Sequence, residues 1–359
     1  MSTLELPSTR EEAWRWSDLS GLEALVEAPR VEVRRTAPSF IGLDGPRLVF
    51  IDGVLDAAAS KPGPLVLEPL DLATDHPLGR EATGLGWSLA LGQEHALDPI
   101  EIVHIGSGGA NHIPARVTLE EDAVVSVTET FIGSGWSNRL TQFSLARSAR
   151  LMRQVRLLQD DGFVSIRDEA DIGQGASFVS MFLGAGGMDS RIDGGLTLSG
   201  IGAYAEMGGA LLTRDRQRQE CAVVVRHVAA GGQSKQVWRA VAADRSTASL
   251  AARVEVARHA QKTDGEQSLR GLLLARTATV NLKPELEIFA DDVKCAHGAT
   301  VGELDARALF YLESRGIEPA RAKALMTRAF VADALDRIGD DAVREAFAVD
   351  ADAWLEGAL

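Results

Sequence analysis

Among the residues of this chain suited to nucleophilic or metal chemistry, Cys295 and His297 stand two positions apart in the stretch DDVKCAHGATVGELD, and Cys295 is one of only two cysteines. On a strand, residues i and i+2 point to one face, which puts these two Cβ atoms about 7 Å apart. That is too far for a direct thiolate–imidazole hydrogen bond. It suits two ligands of one metal cluster, or one ligand on each of two irons. Lys294 and Asp292 face the other way, so the ammonium is poorly placed to activate the thiol. Spacing alone leaves open a plainer reading, with Cys295 a small buried hydrophobe and His297 a hydrogen-bonded strand end.

The rest of the chain offers less. A zinc site would need a C-x-x-C or H-x-x-x-H pair, and the sequence has neither. Cys221, six residues before His227 in CAVVVRH, reads as core filling. The glycine-rich pieces GSGGANH (106–112) and FLGAGGMDS (182–190) lack the order of a phosphate-binding loop and read as turns. There is no G-x-S-x-G elbow and no paired-carboxylate signature to name an acid and a base.

The elements that must carry Cys295 and His297 are β-strands. From about residue 85 to 295 short apolar/polar alternating runs recur, as in Val124, Val125, Val127 and Leu196, Leu198, Ile201, Tyr204, separated by Gly, Asn, Asp and Ser. Short, numerous strands without recurrent two-residue hairpin turns favour a parallel β-helix over a sandwich or barrel. Past Thr300 the period becomes helical. Thr300 and Glu303 read as a capping box opening a helix of roughly 302–314, and Gly316 as its left-handed stop. Pro319 suits the first position of a second helix whose stripe is Ala322, Leu325, Met326, Ala329, Phe330 and Leu335, and a shorter third helix follows Gly339. The predicted organisation is an N-terminal helical and extended segment (1–65), a β-helix core (66–300) and a small helical domain (301–359). Trp14 and Trp16 in REEAWRWSDL anchor the first segment on the core.

The bulk properties exclude several classes. At 359 residues, 45% hydrophobic and 25% charged, the chain folds around a large core. Lys+Arg of 37 against Asp+Glu of 51 gives a net charge of −14, which argues against nucleic acid and anionic membranes as partners. The Arg-rich runs RSARLMRQVR (147–156) and TRDRQRQE (213–220) read as solvated faces. No secretory signal or membrane span is evident, and the scarcity of cysteine fits a cytoplasmic location.

The run KPELEIFADDVKCAHGATVGELDARALFYLESRG (283–316), with AQKTD (260–264), LLLA (272–275) and EEAWRWSDL near the N-terminus, resembles the SufB/SufD family of iron–sulfur cluster assembly proteins. The resemblance implies a right-handed parallel β-helix flanked by helical ends. It also implies a non-catalytic scaffold subunit of a SufB–SufC–SufD complex, with the SufC ATPase docked on about 301–359 and sulfur supplied indirectly by a cysteine desulfurase system. By the same resemblance His297, and with it Cys295, are candidate ligands of a nascent iron–sulfur cluster at the SufB–SufD interface. No group is implied as tightly bound to the isolated chain; flavin binding by the complex and homodimerisation of the lone chain stay open. Shortness and two cysteines favour the SufD branch, with the SufB branch as the alternative and a stand-alone enzyme using Cys295 as nucleophile further off. Two departures stand out: the family's longer N-terminal helical region has no counterpart before EEAWRW, and Ala296 stands where the motif more often has Ser.

Overall fold

The computed structural model describes residues 4–31 and 40–358; the helical and extended segment expected over 1–65 therefore falls partly outside the described residues. The core is a parallel β-helix in which the chain alternates between two sheets. One sheet runs through β7 (Arg150–Leu157), β9 (Ser177–Gly184), β11 (Tyr204–Thr213), β13 (Gln233–Ala242), β15 (Asp264–Leu273) and β17 (Lys294–Glu303). The other runs through β8 (Phe163–Ile172), β10 (Asp189–Leu198), β12 (Arg218–His227), β14 (Thr247–Val256) and β16 (Thr279–Ile288). At the start of the solenoid, β1 (Arg47–Ile51) pairs antiparallel with β2 (Val54–Leu55) and β3 (Val66–Leu70) antiparallel with β4 (Gly84–Leu91), while β1 and β4 pair in parallel with the two halves of β5 (Ile100–Leu119). Strand β5 pairs along its length with β6 (Val124–Leu145).

Sequence alternation builds this directly. In β14, Ala248, Leu250, Ala252, Val254 and Val256 are buried between the sheets, while Arg253 and Glu255 point out. Strands β5 and β6 are long, at 20 and 22 residues, because each turns a corner from one sheet to the other without breaking. Glycine makes the corner possible: Gly133 has φ +83°, and a Cβ on Gly106 would lie 2.1 Å from the Ser134 carbonyl oxygen. GSGGANH, read as a turn, therefore lies inside β5 at a bend, whereas Gly186 and Gly187 of FLGAGGMDS do sit in the turn between β9 and β10. Elsewhere successive coils are stitched at a corner where one left-handed residue donates to the next coil, as Ser148 does to Gln174 and Lys262 to Asp292. Cys221 is fully buried in the core, as its sequence setting predicts.

Both outer faces are partly covered. The N-terminal segment, a 3-10 turn at Glu12–Trp14 and α1 (Leu22–Glu27), lies on the sheet containing β10. Trp14 is buried there, with the Arg191 guanidinium 3.7 Å from its ring centroid; Trp16 is only half-buried. The C-terminal helices α2 (Ala306–Ser314), α3 (Pro319–Leu335) and α4 (Asp341–Ala358) follow the last strand, and α3 and α4 cover the sheet containing β11 and β13. Arg156 pairs with Asp350 at 2.6 Å and Arg337 with Glu206 at 2.8 Å, tying the helices to the strands beneath. Among the described residues, no helix is long and apolar enough to cross a membrane.

Three local expectations are corrected. Thr300 and Glu303 belong to β17, not to a capping box, because ladder pairing with β15 continues to Leu273↔Glu303. The cap is Asp305, whose carboxylate accepts from the amides of Arg307 and Ala308. Helix α3 does begin at Pro319 and does bury Ala322 and Leu335, but its other buried residues are Thr327, Val331 and Ala334, and Leu325 is 42% exposed. Helix α4, at 18 residues, is longer than α3 and not shorter.

Candidate functional site

The solenoid ends in an uncovered coil. Strands β16 and β17 are the last rungs of their sheets, and β17 is solvent-exposed along nearly its whole length. The lumen side chains of this coil, among them Val280, Leu282, Leu286 and Val293, are only partly buried although they pack on the core. Ile288, Phe289 and Val301 are exposed around them. An apolar lumen mouth with bare strand edges is a surface that proteins ordinarily cover.

Cys295 and His297 sit on this rung, and the structure brings them to one face as their spacing predicts. Cys295 packs on the core beside Gly265, its register partner on β15. His297, opposite Gln267, is exposed. The backbone gives the rung a direction. The amide of Lys294 donates to the carbonyl of Thr263, the residue just before β15, at 2.8 Å. With the regular register of this pair, alternation turns the amides of Cys295, His297, Ala299 and Val301 outward, to the free edge. At the two ends of β16 the amides of Thr279 and of Phe289, the residue just past the strand, donate inward to the carbonyls of Ser246 and Val256. The same alternation sets Pro284 at an outward position, where the missing N–H costs β16 nothing and blunts that edge. The free edge is therefore mainly that of β17.

Burial pushes the Cys295 thiol upward from its usual value, with the carboxylate of Asp264 adding to the effect. A nucleophilic thiol needs the reverse, so a cysteine-dependent enzyme is poorly supported. Iodoacetamide at pH 7 should modify Cys295 in the folded chain more slowly than it modifies free glutathione; faster alkylation would restore the nucleophile.

A second cluster lies inside the solenoid, where the run 147–156 was expected to be a solvated face. Arg153 is fully buried in the lumen, donating to Glu129 at 2.9 Å and to Asp168 at 2.5 Å, while Glu129 also accepts from His104 at 3.0 Å. Arg156 is buried too, against Asp350; Arg147 and Arg150 do face solvent. Burial raises Asp168 to about 6, whereas Glu129, which burial would also raise, is held at about 2 by Arg153 and His104. This enclosed cluster holds the fold together and is closed to substrate.

The cluster and its neighbours make stability depend on pH. Burial depresses His104, His112 and His227 to about 4 each, from 6.5. Unfolded histidines take protons near pH 6.5 and the folded ones resist, so their contribution is complete above 6.5 and is lost as pH falls through 4. Asp168 acts oppositely, because the folded carboxyl takes its proton near 6 and the unfolded one near 3.8. Two histidines remain uncompensated, which at about 1.4 kcal/mol per pKa unit amounts to a loss of about 7 kcal/mol across that window. The urea midpoint should fall from pH 7 to pH 5; an unchanged or higher midpoint at pH 5 would refute this assignment.

A cavity of about 470 Å³ lies between the N-terminal arm and β10–β16. Its cations are largely met by its own anions, Lys283 with Glu12 at 2.8 Å and Arg191 with Asp193 at 2.7 Å. Helix α2 is a feature whose importance periodicity missed: it buries no residue, and Phe310 and Tyr311 are 72% and 57% exposed. Two adjacent aromatics outside the amphipathic stripe were the available signal.

Comparison with known proteins gives the family of the chain. Residues 105–330 match the family described as SUF system FeS cluster assembly, SufBD core domain. The iron–sulfur cluster assembly protein SufD of Escherichia coli (strain K12) is 26% identical over 372 residues, covering 95% of this chain and 87% of that protein. The iron–sulfur cluster assembly SufBD family protein slr0076 of Synechocystis is 25% identical, covering 94% of this chain and 85% of its own length. Protein ABCI7, chloroplastic, of Arabidopsis thaliana is 28% identical over 64% of this chain and 50% of that protein. With the core match running from β5 into α3 and full-length likeness on either side of it, the chain belongs to the SufBD family of SUF-system iron–sulfur cluster assembly proteins.

Proposed function

We propose that this chain is a non-catalytic scaffold subunit of the SUF complex. Its open solenoid end pairs with SufB, its C-terminal helices dock the SufC ATPase, and His297, with Cys295 beside it, supplies ligands to the cluster built at the joint. The observation that carries this is the uncovered β17 rung, where an imidazole and a thiol share a face at the mouth of an otherwise sealed β-helix. Imidazole and thiolate are competent iron donors, and two donors on one edge require others from across it. The nascent cluster is cargo on this reading, assembled at the joint and passed on.

Helix α2 supports the second contact. It follows directly from the cluster-bearing strand, its first turn is fixed by Asp305, and its aromatic pair faces solvent. A partner that closes on α2 would therefore be mechanically close to β17. Co-expression with SufB and SufC tests both contacts at once. The double variant F310D/Y311D should lose SufC while retaining SufB, since loss of buried aromatic anchors costs a protein interface 2 kcal/mol or more, about 30-fold. Retention of SufC by that variant would place the ATPase elsewhere.

A further inference from the structure

The rung beneath His297 carries a buried polar group without a partner. Gln236 on β13, Gln267 on β15 and His297 on β17 follow one another in register up the sheet. Both glutamines are buried, at 0% and 2% exposure. Each amide donates across the lumen to a backbone carbonyl of the opposite sheet, Gln236 to Arg253 at 3.2 Å and Gln267 to Glu285 at 3.3 Å. Arg253 and Glu285 are themselves register partners, so the two bridges are successive rungs of one ladder. In both, the carboxamide oxygen is buried with no hydrogen-bond partner. Such an orphan is expensive to maintain, and an apolar residue of the same size would avoid the cost.

For Gln236 the next rung is Gln267, another side chain already committed to the opposite sheet. For Gln267 the next rung is His297, whose coil has no second strand to bridge to, because the chain leaves β17 for α2. Cys295, of the same parity on β17, packs toward the lumen, so the imidazole belongs to that side of the strand as well. Adjacent strands lie about 4.8 Å apart, within reach of a carboxamide and an imidazole standing over one another.

We propose that Gln267 is the positioning residue for His297: its carboxamide oxygen accepts a hydrogen bond from one ring N–H, fixing the tautomer and turning the other ring nitrogen toward the cluster. The inference rests on the reading of His297 as a ligand given above. Metal-bound histidines characteristically donate their second nitrogen to such an acceptor, and removing the acceptor weakens metal binding or activity by 10–100-fold. Gln267 touches no iron itself; it acts through His297.

The test uses the full chain and three variants, Gln267→Leu, Gln267→Glu and His297→Ala. In the chain alone, 15N-histidine NMR reads the tautomer of His297. Gln267→Leu should move its ring nitrogens toward an even mixture of tautomers, and Gln267→Glu, which keeps an acceptor oxygen, should leave one tautomer dominant. In the complex with SufB and SufC, supplied with ferrous iron and sulfide, Gln267→Leu should lower cluster absorbance 10–100-fold at unchanged subunit stoichiometry, with Gln267→Glu restoring much of it. If His297→Ala abolishes the cluster while Gln267→Leu changes neither tautomer nor absorbance, the positioning role is overturned and the scaffold reading stands. If His297→Ala forms the cluster normally, the ligand assignment itself has failed. A loss in Gln267→Leu with an unchanged tautomer would make Gln267 structural only and would equally overturn the proposal.

Discussion

Replacing His297 with alanine is expected to leave the β-helix intact and to cut cluster formation by the SUF complex at least about tenfold, the lower end of what losing even a ligand's supporting partner costs. Folding and cluster formation depend on His297 to different degrees. His297 is exposed on the last rung and fills no cavity, so truncation should change stability by no more than about 0.5 kcal/mol. Its imidazole, by contrast, is the better placed of the two donors, since the Cys295 thiol is half-buried and held protonated by its surroundings. Cys295→Ser should therefore be the milder variant. Cluster yield is read from the visible absorbance of the purified complex after supply of ferrous iron and sulfide, alongside the urea midpoint of each chain. A normal yield in His297→Ala at full complex assembly would remove His297 from the site.

The second large effect is expected from a backbone change. Ala299 is exposed on β17 with its amide turned to the free edge, so proline there removes no hydrogen bond of the β-helix. It does put a ring where a partner strand would accept that bond. Ala299→Pro should fold normally and lose SufB binding by at least about tenfold, the value of one hydrogen bond plus the displaced backbone. Thr300→Pro is the matched control. Its amide faces β15, and its loss should destabilise the fold itself by about 1–3 kcal/mol. If the two variants behaved alike in stability and in binding, the assigned direction of the β17 edge would be wrong.

The core was legible in the sequence because its rule is local. Alternating residues such as Leu250, Ala252 and Val254 mark a strand whatever its neighbours are, and many short strands of that kind leave few architectures. What failed were features decided by partners distant in the chain. The T-x-x-E pattern at Thr300 is a fair helix signal until Leu273 continues the ladder to Glu303. Leu325 belongs to the apolar stripe of α3 by period, but the sheet beneath contacts the turn carrying Val331 and Ala334. Arg153 was the least readable residue. In RLMRQVRL it looks solvated, and only the chain's return at Glu129 and Asp168 encloses it with two carboxylates.

The site divides along the same line. Cys295 and His297 were placed on one face by a spacing of two, and the structure keeps them there. The exposure of their strand, the outward amides, the blunt edge at Pro284 and the orphan oxygen of Gln267 all depend on where the solenoid stops. Chemistry alone made the pair a weak motif; position at an open end makes it a candidate ligand set.

Residue-resolved amide hydrogen exchange on β17, with and without SufB, tests the account most directly, at concentrations where light scattering finds the free chain monomeric. In the free chain the amides of Lys294, Ala296, Gly298 and Thr300 should already be protected by β15, while those of Cys295, His297, Ala299 and Val301 exchange fast. SufB should slow the second set and leave the first nearly unchanged. A complex that forms with those outward amides still exchanging freely would contradict the claim that the open end of the β-helix is the joint on which the cluster is built.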